Sequence, residues 1–336
     1  MQKVRLGVIG CGSIANGYHL PAIERLENVQ LVYACDLVED RAKNAMTRFG
    51  FASYTLDYRE IMADPNIDAV CIFTKIEAHL EISLAAAKAG KHVFTQKPFA
   101  YCIDEGKQIV DAVRQSGIVY TPSFMHAYFP ESLAARRLVE EGVIGDIENV
   151  RILNGTQNPT DSAASYGGCM MDIGCHGMDL VRFVTGQDIE RVWMQNREGA
   201  AAPAISGTTH LNGDERNASL TYRLTGGGVV QHMVSWSHMG ATRRFELEVY
   251  GTKGALYMLN PHLGTPLFRL SAGSAFDFRA EAGEPVQVEP EFFGERHHRL
   301  FFDDLVNGTS HSKNETDGFA ILAIVEAARR SMETGR

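Results

Sequence analysis

The feature that most constrains this chain is an apolar stretch near its start that stops abruptly at a glycine. Residues 4–9 are mostly apolar and rich in valine and isoleucine, which is typical of a central strand in a parallel sheet. Gly10, Gly12 and Ala15 follow with the spacing G-x-G-x-x-G/A. In this pattern the first glycine makes a tight turn, the second lets a pyrophosphate approach the backbone, and the third small residue lets a helix pack on the strand. The stretch therefore predicts a strand, a turn and a helix that together bind a dinucleotide.

An acidic residue after the second predicted strand strengthens this prediction, because 32 glycines in 336 residues would also produce chance matches to the glycine pattern. Residues 30–35 are predicted as that strand, and Asp36 follows it. A carboxylate there accepts hydrogen bonds from both hydroxyls of the adenosine ribose and repels a 2′-phosphate, which favours NAD over NADP. The alternative is a helix-capping carboxylate in a loop. The predicted cofactor contacts in this region are Gly10, Gly12, Ser13, Ile14 and Asp36.

The first 123 residues alternate between strand-like and helix-like patterns. Alternation of this kind predicts βαβ units, and hence an α/β Rossmann domain over residues 1–123 with six parallel strands in one doubly wound sheet. Ligands of such sheets lie beyond the carboxyl ends of the strands, where the glycine turn, the loop from Thr74 and the Gln96-Lys97-Pro98 loop are expected. Patterns locate further strands at residues 69–73, 92–95 and 119–124, so that five of the six strands have a predicted position, and helices are predicted at 39–49, 57–63, 78–89 and 104–116.

The pattern changes in residues 124–336, which we predict to form a second, α+β domain. After a helix to about residue 141 and a long strand at 146–155, a helix at 171–184 precedes six strand-like runs without helices between them. Such runs predict a large, mostly antiparallel sheet, and Gly226-Gly227-Gly228 marks its clearest hairpin. The strand-like runs are residues 191–196, 218–224, 229–236, 245–250, 255–259 and 267–270, and closing helices are predicted at 294–306 and 317–334.

Composition excludes several classes of protein. The chain is 45% hydrophobic and 22% charged, as in a globular enzyme, and its formal charge of −9 argues against nucleic acid as a partner. No apolar run reaches the roughly 18 residues that span a bilayer, and the first strand begins too early to leave room for a signal peptide. We therefore expect a cytoplasmic protein with no membrane partner.

The six cysteines form no C-x-x-C pair, so reduced structural thiols are expected. A metal cluster of Cys169, Cys175 and His176 would fit no zinc-binding spacing, and no metal is predicted.

Three residues are candidates for the chemistry. Asp172 and His176 are four residues apart in a predicted helix and therefore share a face, although a buried polar face with structural hydrogen bonds is an equal alternative. Lys97 follows a strand at the edge where the nicotinamide should lie. Burial and the cationic ring would lower the pKa of this lysine, so that it could take the proton of a substrate hydroxyl as hydride leaves the carbon. His176 could share that proton or orient the hydroxyl, provided that both groups meet over the same ring.

These segments resemble the glucose-fructose oxidoreductase / inositol dehydrogenase (Gfo/Idh/MocA) family over nearly the whole chain. GVIGCGSIA is similar to the family's nucleotide turn, and ACD to the end of its second strand. Gln96-Lys97-Pro98 resembles its E-K-P motif, and GGCMMDIGCH, residues 167–176, its G-G-x-x-x-D-x-G-x-H segment. The resemblance implies NAD(P)-dependent oxidation or reduction of a sugar, cyclitol or similar polyol, with Lys97, Asp172 and His176 as the catalytic set. It also implies an open-faced sheet in the second domain that pairs subunits into a homodimer or homotetramer.

The chain departs from the family pattern where substrate identity is decided. Gln96 stands where glutamate is usual, which should ease deprotonation of Lys97. Thr74-Lys75-Ile76 stands where the family has T-P-N, so the motif is kept only at Thr74. The resemblance implies Thr74 and His79 as cofactor contacts, together with Gln96 and Lys97. Ala127 occupies the place of a common arginine, and a Trp-Arg pair is missing near residues 158–162. The predicted substrate contacts are His126, Gln157, Asn158 and Tyr166, together with Asp172 and His176. For each of these the alternative is a purely structural role.

Two functions of other kinds stay open beside the dehydrogenase. One is a regulator that binds NAD and contacts a partner protein without turnover. The other is a glycoside-cleaving enzyme that oxidises and re-reduces its sugar with tightly held NAD.

Overall fold

The computed structural model describes residues 3–156, 167–195, 215–237, 244–259, 267–271, 283–292 and 294–335. It consists of two compact units. Residues 1–125 and 291–322 form the first unit, and residues 126–290 and 323–336 form the second. Gln157, Asn158 and Tyr166 lie outside the described residues. The domain boundary predicted after residue 123 stays a prediction.

The helices and strands lie close to the predicted ranges. The π-helical segment Ala15–His19 leads into the first α-helix, and the π-helical segment Met170–Gly174 leads into the seventh. The described α-helices are α1 Leu20–Ile23, α2 Glu39–Phe49, α3 Tyr58–Ala63, α4 His79–Lys88, α5 Ile103–Ser116, α6 Pro130–Glu140, α7 Cys175–Thr185, α8 Glu295–Asn307 and α9 Glu315–Thr334. The described strands are β1 Val4–Ile9, β2 Val29–Cys35, β3 Ser53–Thr55, β4 Ala69–Ile72, β5 His92–Thr95, β6 Tyr120–Pro122, β7 Ile147–Gly155, β8 Ile189–Gln195, β9 Asn217–Leu224, β10 Val229–Ser235, β11 Arg244–Gly251, β12 Gly254–Leu259, β13 Leu267–Ser271 and β14 Glu284–Val286.

The first unit contains a parallel sheet with the strand order β3-β2-β1-β4-β5-β6. Its central strands are buried on both faces: Val8 and Ile9, which point to opposite faces of β1, and all four residues of β4 have almost no exposed surface. This is why their sequence is continuously apolar instead of alternating. The strand order reverses its direction of growth between β1 and β4, which confirms the predicted doubly wound α/β architecture.

The second unit contains a sheet whose described strands follow the order β14-β13-β12-β11-β7-β10-β9-β8. All of its pairings are antiparallel except that of β10 with β7, which is parallel. Strands β9 and β10 form the hairpin predicted around Gly226. On β9, Leu220 and Tyr222 are buried, whereas Thr221 and Arg223 are exposed. One face of the sheet is therefore covered and the other is open, as predicted.

Among the described residues, no helix combines the length and the apolar character that a bilayer crossing requires.

Candidate active site

The glycine turn after β1 has the geometry that a bound pyrophosphate requires. Gly10 has a φ of +96°, and a Cβ there would lie 2.6 Å from the carbonyl carbon and oxygen of Phe73, so only glycine fits. A Cβ on Gly12 would meet no atom within 4 Å, and Ser13 and Ile14 are exposed. The space next to Gly12 is therefore open at the start of the helix, the part of a helix where phosphate oxygens bind.

Two polar side chains hold this turn in place. Asn16 Nδ2 donates to the carbonyl oxygens of Cys11 at 2.7 Å and Gly12 at 2.9 Å. Asp36 Oδ2 accepts the Cys11 N–H, and its Oδ1 accepts the Val38 N–H, both at 2.9 Å. Each carboxylate oxygen keeps a second lone pair that could accept a ribose hydroxyl. These residues fit the adenosine half of a dinucleotide, and Asn16 is a residue that the sequence analysis missed.

His79 links the loops that follow β4 and β5. Its ring is fully buried, with Nδ1 2.9 Å from the carbonyl oxygen of Pro98 and Nε2 3.3 Å from that of Thr74. Burial lowers the pKa of His79, so the ring is neutral and carries one N–H. The shorter distance assigns that hydrogen to Nδ1, which donates to Pro98. His79 therefore ties the Lys97-Pro98 segment to α4.

Lys97 is the second residue after β5 and is half-buried. The Gln96 N–H donates to the Ile72 carbonyl oxygen at 2.8 Å, which extends the pairing of β5 with β4 by one residue. The Lys97 N–H donates to Gln96 Oε1 at 3.2 Å. The Gln96 backbone and side chain thus fix where the Lys97 side chain begins.

In the second unit, Asp172 is held by a residue far from it in sequence. Asp172 lies in the π-helical segment before α7, and such segments are frequent at functional sites. Its Oδ2 accepts the indole N–H of Trp236 at 3.0 Å. Trp236 is fully buried, so its N–H needs this partner and the carboxylate is held in one orientation. Trp236 is the second functional residue that the sequence analysis missed.

His176 is almost buried at the start of α7, with 5% of its surface exposed. The His126 ring packs edge-on against it with 4.4 Å between ring centroids, and Phe245 stacks on the His126 ring at 4.0 Å. Ser132 Oγ donates to the His126 carbonyl oxygen at 2.6 Å. His126, a predicted substrate contact, is 2% exposed and packs against the His176 ring. This packing limits how far the His176 ring can turn.

The turn that leads into the Asp172 segment is tied to a buried ion pair. Arg329 donates to Glu215 Oε1 at 2.9 Å and to the Gly167 carbonyl oxygen at 2.6 Å. The Glu215 carbonyl oxygen accepts the Cys169 N–H at 2.8 Å. Burial raises the pKa of Glu215, and the positive charge of Arg329 opposes that rise. The π-helical segment thus begins from an anchored backbone.

A buried polar chain lies beneath α7, next to His176. His232 Nδ1 is 2.7 Å from Tyr222 Oη, and its Nε2 is 2.6 Å from Asn154 Oδ1. Burial lowers the pKa of His232 to about 3, so the ring is neutral. Its Nε2–H therefore donates to Asn154, and its Nδ1 accepts from Tyr222. A Cβ on Gly177 would lie 2.1 Å from Asn154 Oδ1, so α7 reaches the sheet only because this residue is glycine.

The predicted site residues thus fall into two groups, each inside one unit. The first unit holds the glycine turn, Asp36, Thr74, His79, Gln96 and Lys97, and the second holds His126, Asp172 and His176. Within the described part of the chain, no three His, Cys, Asp or Glu side chains are arranged to hold a metal ion.

Comparison with known proteins covers both units. A model described as an oxidoreductase family with an NAD-binding Rossmann fold matches residues 4–124, and the GFO/IDH/MocA C-terminal domain model matches residues 132–257. Myo-inositol 2-dehydrogenase of Thermotoga maritima is 25% identical over 344 residues, which cover 99% of this chain and 97% of that protein. Levoglucosan dehydrogenase of Pseudarthrobacter phenanthrenivorans is 28% identical over an alignment of 291 residues that covers 76% of this chain and 73% of that protein.

A solved structure shows the same fold. The structure of a levoglucosan dehydrogenase in complex with NADH and levoglucosan aligns with a TM-score of 0.86 at 24% identity, covering 100% of this chain and 98% of that one. The matches to both family models, together with the glycine turn and the Asp172 segment described above, show that this chain belongs to the Gfo/Idh/MocA family of oxidoreductases.

Proposed function

We propose that this chain is an NAD-dependent dehydrogenase that transfers hydride between a nicotinamide and a carbinol or carbonyl carbon of a sugar, cyclitol or related polyol. The observation that carries the proposal is at the start of α7, where a buried tryptophan N–H holds the Asp172 carboxylate one turn from His176. Relatives named for the oxidation of inositol and levoglucosan support the substrate class.

The cofactor would be held by the first unit. Gly10, Gly12, Ser13 and Ile14 offer an open helix start for the pyrophosphate, and Asp36 offers two carboxylate oxygens to the ribose hydroxyls. A 2′-phosphate in place of the ribose hydroxyl would meet the negative charge of Asp36, so we expect NAD and not NADP. The remaining proposed contacts, in the loops after β4 and β5, are Thr74, His79, Gln96 and Lys97.

Side chains of this chain would transfer the proton. When bound, the oxidised nicotinamide supplies the hydride acceptor. Lys97 Nζ takes the hydroxyl proton of the substrate as hydride leaves the carbon, which turns C–OH into C=O, and it returns the proton in the reverse direction. His176 orients the same hydroxyl or shares its proton, and the Asp172 carboxylate accepts a hydrogen bond from a neighbouring hydroxyl.

The first experiment measures the formation of reduced nicotinamide from NAD with a panel of inositols, anhydrosugars and aldoses. For a substrate that turns over, Lys97→Met should lower kcat about 10²- to 10⁴-fold with a much smaller change in NAD affinity, because it removes the base and one proposed cofactor contact but leaves the phosphate contacts in place. Lys88→Met, at an exposed position on α4, is the matched control and should retain activity.

Each other outcome would point to a different function. Unchanged turnover in Lys97→Met would remove the assigned base. Tight NAD binding without turnover, together with a partner protein that copurifies, would favour the regulator. Glycoside cleavage without net change in NAD would favour the cleaving enzyme.

We further propose that the open face of the second sheet pairs subunits into a dimer or tetramer. Trp193 on β8 and Met233 on β10 are 42% and 44% exposed, and Val229 on β10 lies on the same open face. Large apolar side chains grouped on one sheet face are typical of a protein interface.

A further inference from the structure

Two buried histidines of the first unit form a hydrogen-bonded pair beside Gln96. His19 Nδ1 lies 2.8 Å from His298 Nε2, and both rings are fully buried. His298 Nδ1 lies 2.7 Å from the Gly294 carbonyl oxygen. The Gln96 side chain interacts with His19 at the other end of the pair. This inference rests on the proposed role of Lys97, the residue after Gln96.

Aromatic packing leaves the two rings little freedom to turn. His19 stacks on Phe73 with 3.9 Å between centroids and 12° between planes, and His298 stacks on Phe94 at 4.8 Å. The ring of Tyr18 packs edge-on against His19. The nitrogen positions of both histidines are therefore set by the packing.

The direction of every hydrogen bond in the series follows from its end. A carbonyl oxygen only accepts, so His298 Nδ1 carries the hydrogen. Burial lowers the pKa of His298 to about 4, so its Nε2 has none and must accept from His19 Nδ1–H. Burial also lowers the pKa of His19, so its ring is neutral. Because its one hydrogen is on Nδ1, its buried Nε2 carries only a lone pair. Only a donor can satisfy that atom.

The amide of Gln96, whose side chain interacts with His19, can supply such a donor. Its Oε1 is engaged by the Lys97 N–H at 3.2 Å, so the amide NH₂ is the end left for His19 Nε2. We propose that His298, His19 and Gln96 form a one-way hydrogen-bond series that orients the Gln96 amide, and through it positions Lys97. Gln96 and His298 are thus positioning residues that match one another.

This series explains the departure from the E-K-P motif. A glutamate carboxylate at position 96 has no hydrogen to give and would face the lone pair of His19 Nε2. The series would then need one additional proton, on the carboxyl group or on a ring. Burial opposes a charged imidazole, so a protonated carboxyl group is the favoured form.

The other groups near the pair leave this logic unchanged. His297, next to His298 on α8, is buried with a lowered pKa, and Lys313 contributes to that lowering. Tyr18 is another titratable residue whose ring contacts His19. The stacking partners of the two histidines, Phe73 and Phe94, are apolar. A negative charge that could stabilise an imidazolium is absent from the ring contacts of the described residues.

Nitrogen NMR of the wild-type protein tests the series without any use of activity. Long-range ¹H–¹⁵N spectra of ¹⁵N-histidine-labelled protein, assigned with His19→Gln and His298→Gln variants, report which ring nitrogen carries hydrogen. At neutral pH both rings should be neutral with hydrogen on Nδ1. An Nε2–H tautomer or an imidazolium at either residue would overturn the inference, whether or not the chain is a dehydrogenase.

A pair of substitutions tests the match between Gln96 and His298. Folded Gln96→Glu should hold a proton that its unfolded chain loses, so its stability should fall relative to wild type as the pH rises from about 5 to 8. We expect the difference in Tm to widen by about 3 °C or more, and kcat to fall about tenfold.

His298→Gln should relieve this defect, because a glutamine can turn its NH₂ toward His19 Nδ1 and free His19 Nε2–H for the carboxylate. The double variant should recover most of the loss and its pH dependence, while His298→Gln alone stays near wild type. A Gln96→Glu variant whose stability follows the wild-type pH profile, or whose defect His298→Gln deepens, would contradict the series.

Discussion

Asp36 shows how one side chain can serve the fold and the cofactor together. Its two oxygens accept the N–H groups of Cys11 and Val38, which fixes the carboxylate against the glycine turn. The same oxygens keep lone pairs for a ribose. Fixing the negative charge in advance is what would make it effective against a 2′-phosphate.

Removal of that charge should therefore relax the choice of cofactor. We expect Asp36→Asn, which keeps the size and one acceptor, to raise kcat/KM with NADP relative to NAD about tenfold or more. Steady-state kinetics with both cofactors measure the ratio. Asp40→Asn, exposed on α2, is the control, and an unchanged ratio in Asp36→Asn would assign the carboxylate to the turn alone.

Sequence reasoning reaches such residues only when their position in the chain gives them away. Asp36 directly follows a strand and Lys97 is the second residue after one, and Asp172 and His176 have helical spacing, so local patterns indicate them. Trp236 is 64 residues from the carboxylate that it binds, and Arg329 is 114 residues from Glu215. Those partnerships depend on tertiary packing, for which a single sequence has no local signal.

The position of α7, the helix that carries His176, depends on the absence of a side chain at Gly177. Gly177 brings α7 against the sheet above the Asn154–His232 pair, with no room for a methyl group. The π-helical segment before it gives the turn at Asp172 a wider spacing than an α-helix has. Both features set how far α7 lies from the sheet and how it is rotated about its own axis.

A methyl group at this glycine should therefore disturb both stability and catalysis. We expect Gly177→Ala to lower the free energy of unfolding by about 1–3 kcal/mol through overpacking, and to lower kcat because His176 moves with the helix. Denaturant unfolding and steady-state kinetics measure the two effects.

The matched control for Gly177→Ala is Gly17→Ala, since Gly17 is also helical and a Cβ there would meet nothing within 4 Å. It should leave stability unchanged or raised. Equal losses in the two variants would show that helical glycine as such, and not the contact with Asn154, is responsible.

At this scale the sequence predicts the larger elements well and the small adjustments poorly. The apolar runs of β1, β4 and β5 and the hairpin of β9 and β10 appear where their patterns indicate. Strand β3 has three residues, too few to show a period, and its position was not predicted. The π-helical segments depend on one extra residue per turn, which hydrophobic spacing does not resolve.

The whole molecule presents an open sheet face with apolar side chains on two separate strands. If that face joins subunits, a charge on it should separate them. We expect Trp193→Glu to shift the protein to monomers in size-exclusion chromatography with light scattering, since an unpaired buried carboxylate opposes burial of the face.

Val306→Glu places the same charge at a partly exposed position on α8 in the first unit. It should leave the oligomer intact. A monomeric wild-type protein, or a Trp193→Glu variant that stays assembled, would exclude the sheet face as the interface.

The parallel pairing of β10 with β7 has a consequence for how the second unit folds. Strands β8, β9 and β10 pair in chain order, as do β11 to β14. Each set can therefore form from strands that are neighbours in the sequence. Of the described strands, only β7 bridges them, with β10 along one edge and β11 along the other. The two ribbons can thus form early and separately, and we expect their late meeting on β7, a contact of high sequence separation, to govern the rate at which the sheet is completed.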